Sequence, residues 1–270
     1  MLRLPWYLTV PISIALIYAA LAYLASRSVY FPSRYPEGFW DAQAQLHAAD
    51  VWPETRDHIR IHGWFVRHPT SRLATLFLHG NAGNITHRHP HCTEITAAGS
   101  SVLVIDYRGY GKSAGRPAEA GLYADADAAY DWLSKQGFRA QDIVLHGESL
   151  GTTVAVDLAV RRPCAGLVLE APFTNAKEVA ATVFPVAGPL LIWGFDSKAK
   201  ISRITAPKLF LQGDRDEIIP PSLGKALYDI APGPKSFWVV RGAGHNDILE
   251  TAGPEYRAHL KSFYESLGGM

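Results

Sequence analysis

Two serines in this 270-residue chain stand between glycines two positions away on either side: Ser113 in Gly111-Lys112-Ser113-Ala114-Gly115 and Ser149 in Gly147-Glu148-Ser149-Leu150-Gly151. The pattern suits a nucleophile presented on a sharp strand-to-helix turn, where a crowded backbone tolerates only small flanking residues. Context separates the two. Ser149 follows the apolar run Ile143-Val144-Leu145 and opens a helical pattern that stops at Pro163. Ser113 lies six residues beyond a run that ends near Tyr107, and Pro117 follows it closely, so its expected role is structural. Nor is Gly111-Lys112-Ser113 a phosphate loop, because Asp106 stands where such a loop needs glycine.

A serine hydroxyl attacks only when a base takes its proton, and histidine is the side chain whose ordinary titration range suits that role. The chain has 11 histidines to choose from. His87, His89 and His91 alternate around Pro90 with no carboxylate nearby in sequence, which reads as a solvated loop or helix start and not as a metal site. No metal or organic cofactor is expected. Cys92 and Cys164 permit at most one disulfide, and two unpaired thiols is the favoured reading.

Positioning such a serine requires a rigid scaffold. The composition provides one: 48% of the residues are hydrophobic, and 26 basic against 25 acidic residues leave a net charge of +1. This suits a globular protein with a substantial core and argues against a nucleic-acid partner or a disordered tail. Strands are expected over residues 58–66, 74–78, 101–107, 142–146, 166–169, 208–211 and 236–240, the last six as apolar runs buried on both faces. Helices are expected over 120–135, 150–162 and 255–267. In the first of these, Leu122, Ala126, Ala129 and Leu133 recur at helical spacing, and Asp125, Asp127 and Asp131 take other faces. The alternation predicts an α/β fold with a mostly parallel central sheet and helices on both faces.

Residues 6–25 carry no charge, enough for a helix to cross about 30 Å of hydrocarbon. Trp6, Tyr7 and Tyr23 stand near its ends as interfacial anchors would, and Pro11 falls near the first turns. The preferred reading is a single-pass N-terminal anchor over residues 1–27. Ala20-Leu21-Ala22 keeps a cleaved secretory signal open as the rival. Arg3 on one side and Arg27 and Arg34 on the other nearly balance, so the side of the membrane stays open. Residues 28–56 read as a linker and N-terminal extension, and 57–270 as the folded domain.

Ordered motifs give the chain a family likeness. His79-Gly80-Asn81-Ala82-Gly83-Asn84 follows one strand and Asp106-Tyr107-Arg108-Gly109-Tyr110-Gly111-Lys112-Ser113 the next. The Ser149 turn comes third, then Gly213-Asp214-Arg215-Asp216-Glu217-Ile218-Ile219-Pro220 and Gly242-Ala243-Gly244-His245. In this order they resemble the α/β-hydrolases, and the anchor followed by Tyr30-Phe31-Pro32 is similar to their membrane-anchored branch. The resemblance implies the fold's chain order of serine, acid, histidine, here Ser149, Asp216 and His245. It places the acid three residues after the glycine, at Asp216, leaving Asp214 to cap the turn and Glu217 solvated. It also implies an oxyanion hole from the backbone amides of Leu150 and Asn81, with Ala82 as the fallback.

This fold usually carries a cap between its sixth strand and its acid strand, and the insertion here, at about 172–200, is short. Its apolar run, residues 183–195, is too irregular for one long helix. It reads either as a small helix packed on the sheet or as a greasy wall that binds an acyl chain with Phe173, Phe184, Leu190, Leu191 and Trp193. The expected activity is hydrolysis of a carboxylic ester or thioester of a small acyl or lipid-like substrate. An acyltransferase, a peptidase or a non-catalytic tethered scaffold are the alternatives, and the oligomeric state is left open.

Overall fold

A computed structural model of the chain describes residues 6–268. Arg3 and the side chains of Trp6 and Tyr7 lie outside what is described. One sheet contains β1 Ala49–Val51, β2 Gly63–Val66, β3 Ala74–Leu78, β4 Ser101–Ile105, β5 Ile143–Glu148, β6 Gly166–Glu170, β7 Lys208–Gly213 and β8 Lys235–Val240. Their spatial order is β1-β2-β4-β3-β5-β6-β7-β8. The pairs β1-β2 and β2-β4 are antiparallel, and all the others are parallel.

Strands β3, β4, β6 and β7 are buried along their whole length, as continuous apolar runs with helices above and below require. Strand β8 departs from the expectation. It is the sheet's edge, and only Val240 in it is fully buried. Two further corrections concern the other edge. The strand expected to begin at residue 58 begins at Gly63, because His58 sits at φ 60° in a turn closed by its N–H to the Thr55 carbonyl. The stretch expected as a linker supplies β1, and its Phe31–Pro32 pairs with Ala82–Gly83.

Helices α1 Trp6–Arg27, α2 His89–Ala97, α3 Glu119–Lys135, α4 Leu150–Arg161, α5 Ala176–Val183, α6 Gly188–Leu191, α7 Pro221–Ile230 and α8 Pro254–Ser266 complete the main architecture. On one face of the sheet, Leu122, Ala126 and Leu133 of α3 and Val154 and Leu158 of α4 pack with Leu76, Leu103 and Leu145. On the other, Cys92 and Ile95 of α2 and Tyr256, Leu260 and Tyr264 of α8 pack with Phe77, Val102 and Val144. Asp125 is not on an outer face of α3. It is buried and accepts from both the backbone N–H and Nε of Arg108, at 2.8 and 2.9 Å. Cys92 and Cys164 are unpaired.

Helix α1 is the exception to this packing. It is 22 residues long, contains Pro11, and from Val10 onward is almost wholly exposed. By length and composition it can cross a membrane.

Candidate active site

The strand order reverses around β3. The chain leaves β3 for β4 on one side, and β5 then returns to the other side of β3. Such a switch point opens a crevice at the carboxyl ends of the strands, because successive loops diverge there. The loop after β3 carries Asn81, and the turn after β5 carries Ser149.

Ser149 sits at φ 50°, ψ −116°, in the single-residue joint between β5 and α4. A non-glycine residue at positive φ is strained, and here the surroundings hold it. Its N–H donates to the Glu170 carbonyl at 2.8 Å, and its carbonyl accepts from the N–H and Oγ1 of Thr152 at 2.9 and 2.6 Å. The flanking glycines meet their neighbours without a Cβ. A methyl on Gly147 would overlap the Gly151 backbone, and one on Gly151 would overlap the Leu78 carbonyl at the end of β3.

His245 reaches Ser149 from the loop after β8. Its Nε2 lies 3.0 Å from Ser149 Oγ, and its Nδ1 lies 2.8 Å from Asp216 Oδ2. The buried Asp216 carboxylate is further fixed by the N–H groups of Ile218 and Ile219, at 3.0 and 2.7 Å on Oδ1, and by Gln212 Nε2 at 3.0 Å on Oδ2. The loops bearing acid and base are tied together. Arg215 N–H donates to the Ala243 carbonyl at 2.9 Å, and Asp214 Oδ1 accepts from Gly242 N–H at 2.6 Å, so Asp214 caps the turn. The structure thus brings Ser149, His245 and Asp216 into one hydrogen-bonded line. Ser113 instead braces the backbone, its Oγ donating to the Asp106 carbonyl at 2.7 Å and accepting from His62 N–H at 2.7 Å.

The Gly80-Asn81 peptide is held from behind. Burial and the nearby Arg88 charge push the His79 imidazole down to about 4, so the ring is neutral. Its Nδ1 lies 2.7 Å from the Gly80 carbonyl, which fixes that peptide plane and turns the Asn81 amide the opposite way. Tyr110 Oη donates to the Asn81 carbonyl at 2.7 Å, and Asn81 Nδ2 donates to the Val29 carbonyl at 3.1 Å.

Asn81, Ser149, Leu150 and His245 all border one cavity of about 570 Å³. Phe173 and Phe184 line it as well. Leu190, Leu191 and Trp193, expected on the same wall, do not; the Leu190 backbone and the Trp193 ring instead meet α1, with Tyr18 Oη donating to the Leu190 carbonyl at 2.7 Å and the Tyr18 ring stacked on Trp193. The walls that sequence reasoning missed include Val29 and Phe31 from the N-terminal stretch, Val179 and Ile192 from the cap, and Ile218 and Ile219 beside the acid. The Ile218-Ile219 pair was the one signal in the sequence, since apolar residues directly after a buried acid must face something.

His91 is a correction of another kind. It stands in the first turn of α2, as the helix-start reading expects, but it is half-buried and a carboxylate is close, with Nε2 3.4 Å from Glu170 Oε1. Among the described residues, no group of three or more His, Cys, Asp or Glu side chains is arranged to hold a metal ion.

Comparison with known proteins agrees with this architecture. The family model Hydrolase_4, described as serine aminopeptidase, S33, matches residues 69–199. An uncharacterized protein of Mycobacterium tuberculosis is 44% identical over 227 residues, covering 82% of this chain and 80% of that protein. Alpha/beta hydrolase domain-containing protein 17C of Homo sapiens is 38% identical over 230 residues, covering 82% of this chain and 68% of its own. The chain belongs to the α/β-hydrolase superfamily. Protein bem46 of Schizosaccharomyces pombe is similar to this α/β-hydrolase at 32% identity over 256 residues, covering 87% of this chain and 85% of that protein. An esterase of Pyrococcus furiosus shares the hydrolase's fold with a TM-score of 0.75 at 20% identity, covering 88% of this chain and 98% of that one.

Proposed function

We propose that this α/β-hydrolase is a serine esterase, anchored to a membrane by α1, that cleaves carboxylic esters or thioesters with apolar acyl groups. The observation that carries the reading is the Ser149–His245–Asp216 hydrogen-bonded line at the edge of an apolar cavity. In this reading His245 Nε2 takes the proton as Ser149 Oγ attacks the acyl carbonyl, and Asp216 stabilises the imidazolium through Nδ1. The amides of Asn81 and Leu150 receive the developing oxyanion. Collapse expels the alcohol or thiol with the proton from His245, water then attacks the acyl-enzyme by the same route, and the free acid leaves.

The lining of the cavity supports an acyl ester over a peptide with a free amino terminus. Among the described residues, no Asp or Glu borders it, so nothing there would pair with an ammonium group. Its walls are instead Val, Ile, Phe and Ala side chains suited to a hydrocarbon chain. In the same reading residues 1–27 form the anchor, and the hydrolase domain carries a cap at about 172–200.

The test is turnover of p-nitrophenyl esters of graded chain length by the detergent-solubilised protein. Hydrolysis by the wild type and its loss in a folded Ser149→Ala variant is the expected result. Undiminished turnover in that variant would refute the assignment.

A further inference from the structure

We propose that the cap of this hydrolase is sunk into one lipid leaflet, so that the acyl cavity is loaded from the bilayer and not from water. The inference rests on the membrane reading of α1 and adds a depth to it. At about 1.5 Å per residue, the 22 residues of α1 span about 33 Å, enough to cross the hydrocarbon. Through Trp193 the cap borders a hollow with Tyr23, Ser26 and Arg27, and it also meets the helix further from its domain end. It meets Tyr18, whose Oη donates to the Leu190 carbonyl and whose ring stacks on Trp193. Tyr18 precedes Arg27 by nine residues, which is about 13 Å along the axis. A helix that crosses the bilayer with its end at the headgroups therefore carries α6 and Trp193 well below them.

The cap is composed for that depth. From residue 179 to residue 195 it has no Asp, Glu, Lys or Arg, and charged side chains are what a bilayer interior excludes. It exposes Phe184, Val186, Leu190 and Trp193 at 64%, 78%, 58% and 53%, an apolar surface that stays open although Tyr18 stacks on Trp193. At the end of α1 the chemistry changes sign: exposed Arg27, Arg34 and Arg116 border a separate hollow of about 140 Å³, where anionic headgroups would lie. The cap also forms part of the cavity wall, through Val183, Phe184 and Ile192, while Val29 and Phe31 enter the wall directly after α1. The acyl cavity therefore lies between the submerged face and Ser149.

The test uses the full chain in phosphatidylcholine vesicles. A nitroxide is placed at Val186→Cys in a Cys164→Ser background, with Lys261→Cys on α8 as the aqueous reference. The inference expects the label at 186 to collide with oxygen several-fold more than with a water-soluble nickel chelate, and the label at 261 to show the reverse. Equal nickel access at both sites in a chain that resists alkaline carbonate would overturn the depth assignment and leave the anchor standing. Release by carbonate would overturn both. Shielding of position 186 from oxygen and nickel alike would assign the patch to a protein partner and also overturn the inference. As a second arm, Val186→Glu should cut turnover of a long-chain ester dissolved in the vesicles at least about tenfold while p-nitrophenyl acetate stays within about twofold. Equal effects on the two substrates would contradict loading from the bilayer. The nitroxide readings need no turnover, so they stand or fall separately from the esterase assignment.

Discussion

Glu148, the residue just before Ser149, is gripped by Arg88 through two parallel hydrogen bonds of 2.8 Å, from Nε and Nη2 to the two carboxylate oxygens. The third nitrogen of the same guanidinium donates to the Ala82 carbonyl at 3.1 Å. One side chain thus ties the turn that bears Ser149 to the loop that bears Asn81. In the proposed mechanism Ser149 and the Asn81 amide meet one substrate carbonyl, and a planar fork with little freedom holds the two together.

Arg88→Lys should therefore lower kcat by about tenfold with KM within about twofold, because a single ammonium cannot hold both partners in register. Steady-state kinetics on a short ester checks this. A rise in KM with unchanged kcat would place Arg88 in substrate binding instead.

The same pair predicts an acid limit to stability. Burial raises the Glu148 carboxyl, but the charge and hydrogen bonds of Arg88 outweigh it and bring the group from its ordinary 4.5 down to about 2. The folded state then binds this proton less readily than the unfolded chain. The contribution is present above about pH 4.5 and is lost as pH falls through about 2. Glu148→Gln should cost on the order of 2 kcal/mol at neutral pH and flatten the slope between these values. Thermal melts of both proteins across that range measure it. An unchanged acid slope would assign the loss to other groups.

Gly151→Ala should be among the most damaging single changes in the chain, since its methyl would overlap the Leu78 carbonyl at the end of the central strand β3. Losses beyond about 4 kcal/mol are expected of such backbone collisions. Denaturant unfolding tests it, with Gly233→Ala as the control, because Gly233 lies outside the left-handed region and a methyl there meets nothing within 4 Å.

The central strands were legible because burial on both faces leaves an unbroken apolar run, as in Ala74–Leu78 and Ser101–Ile105. Edges were not. Ala49–Val51 is three residues long and paired on one side only, which leaves no pattern to read. Helix α2 was ambiguous for a related reason: only Cys92 and Ile95 of its nine residues are buried. At the site, chain order and motif led to Ser149, Asp216 and His245, whose geometry is local to three turns. The apolar run of the cap could not tell inward from outward residues, so Phe184 fell on the cavity and Trp193 on α1. The link between Arg88 and Glu148 joins residues 60 positions apart, and no spacing rule announces it.

Val179 of α5 projects into the cavity wall, so filling the space there should shorten the acyl chains that fit. Val179→Trp is expected to lower kcat/KM for dodecanoyl esters by about tenfold or more and to leave acetyl esters within about threefold. A chain-length series on both proteins decides it. A uniform loss across the series would mean the cavity does not hold the acyl chain.

Activation of Ser149 by His245 underlies the whole functional reading, and a fluorophosphonate probe measures it without knowledge of the substrate. The probe should attach to the folded protein, peptide mass spectrometry should place the adduct on Ser149, and both Ser149→Ala and His245→Ala should abolish labelling. An adduct on another residue, or no adduct on the folded wild type, would remove Ser149 as the nucleophile.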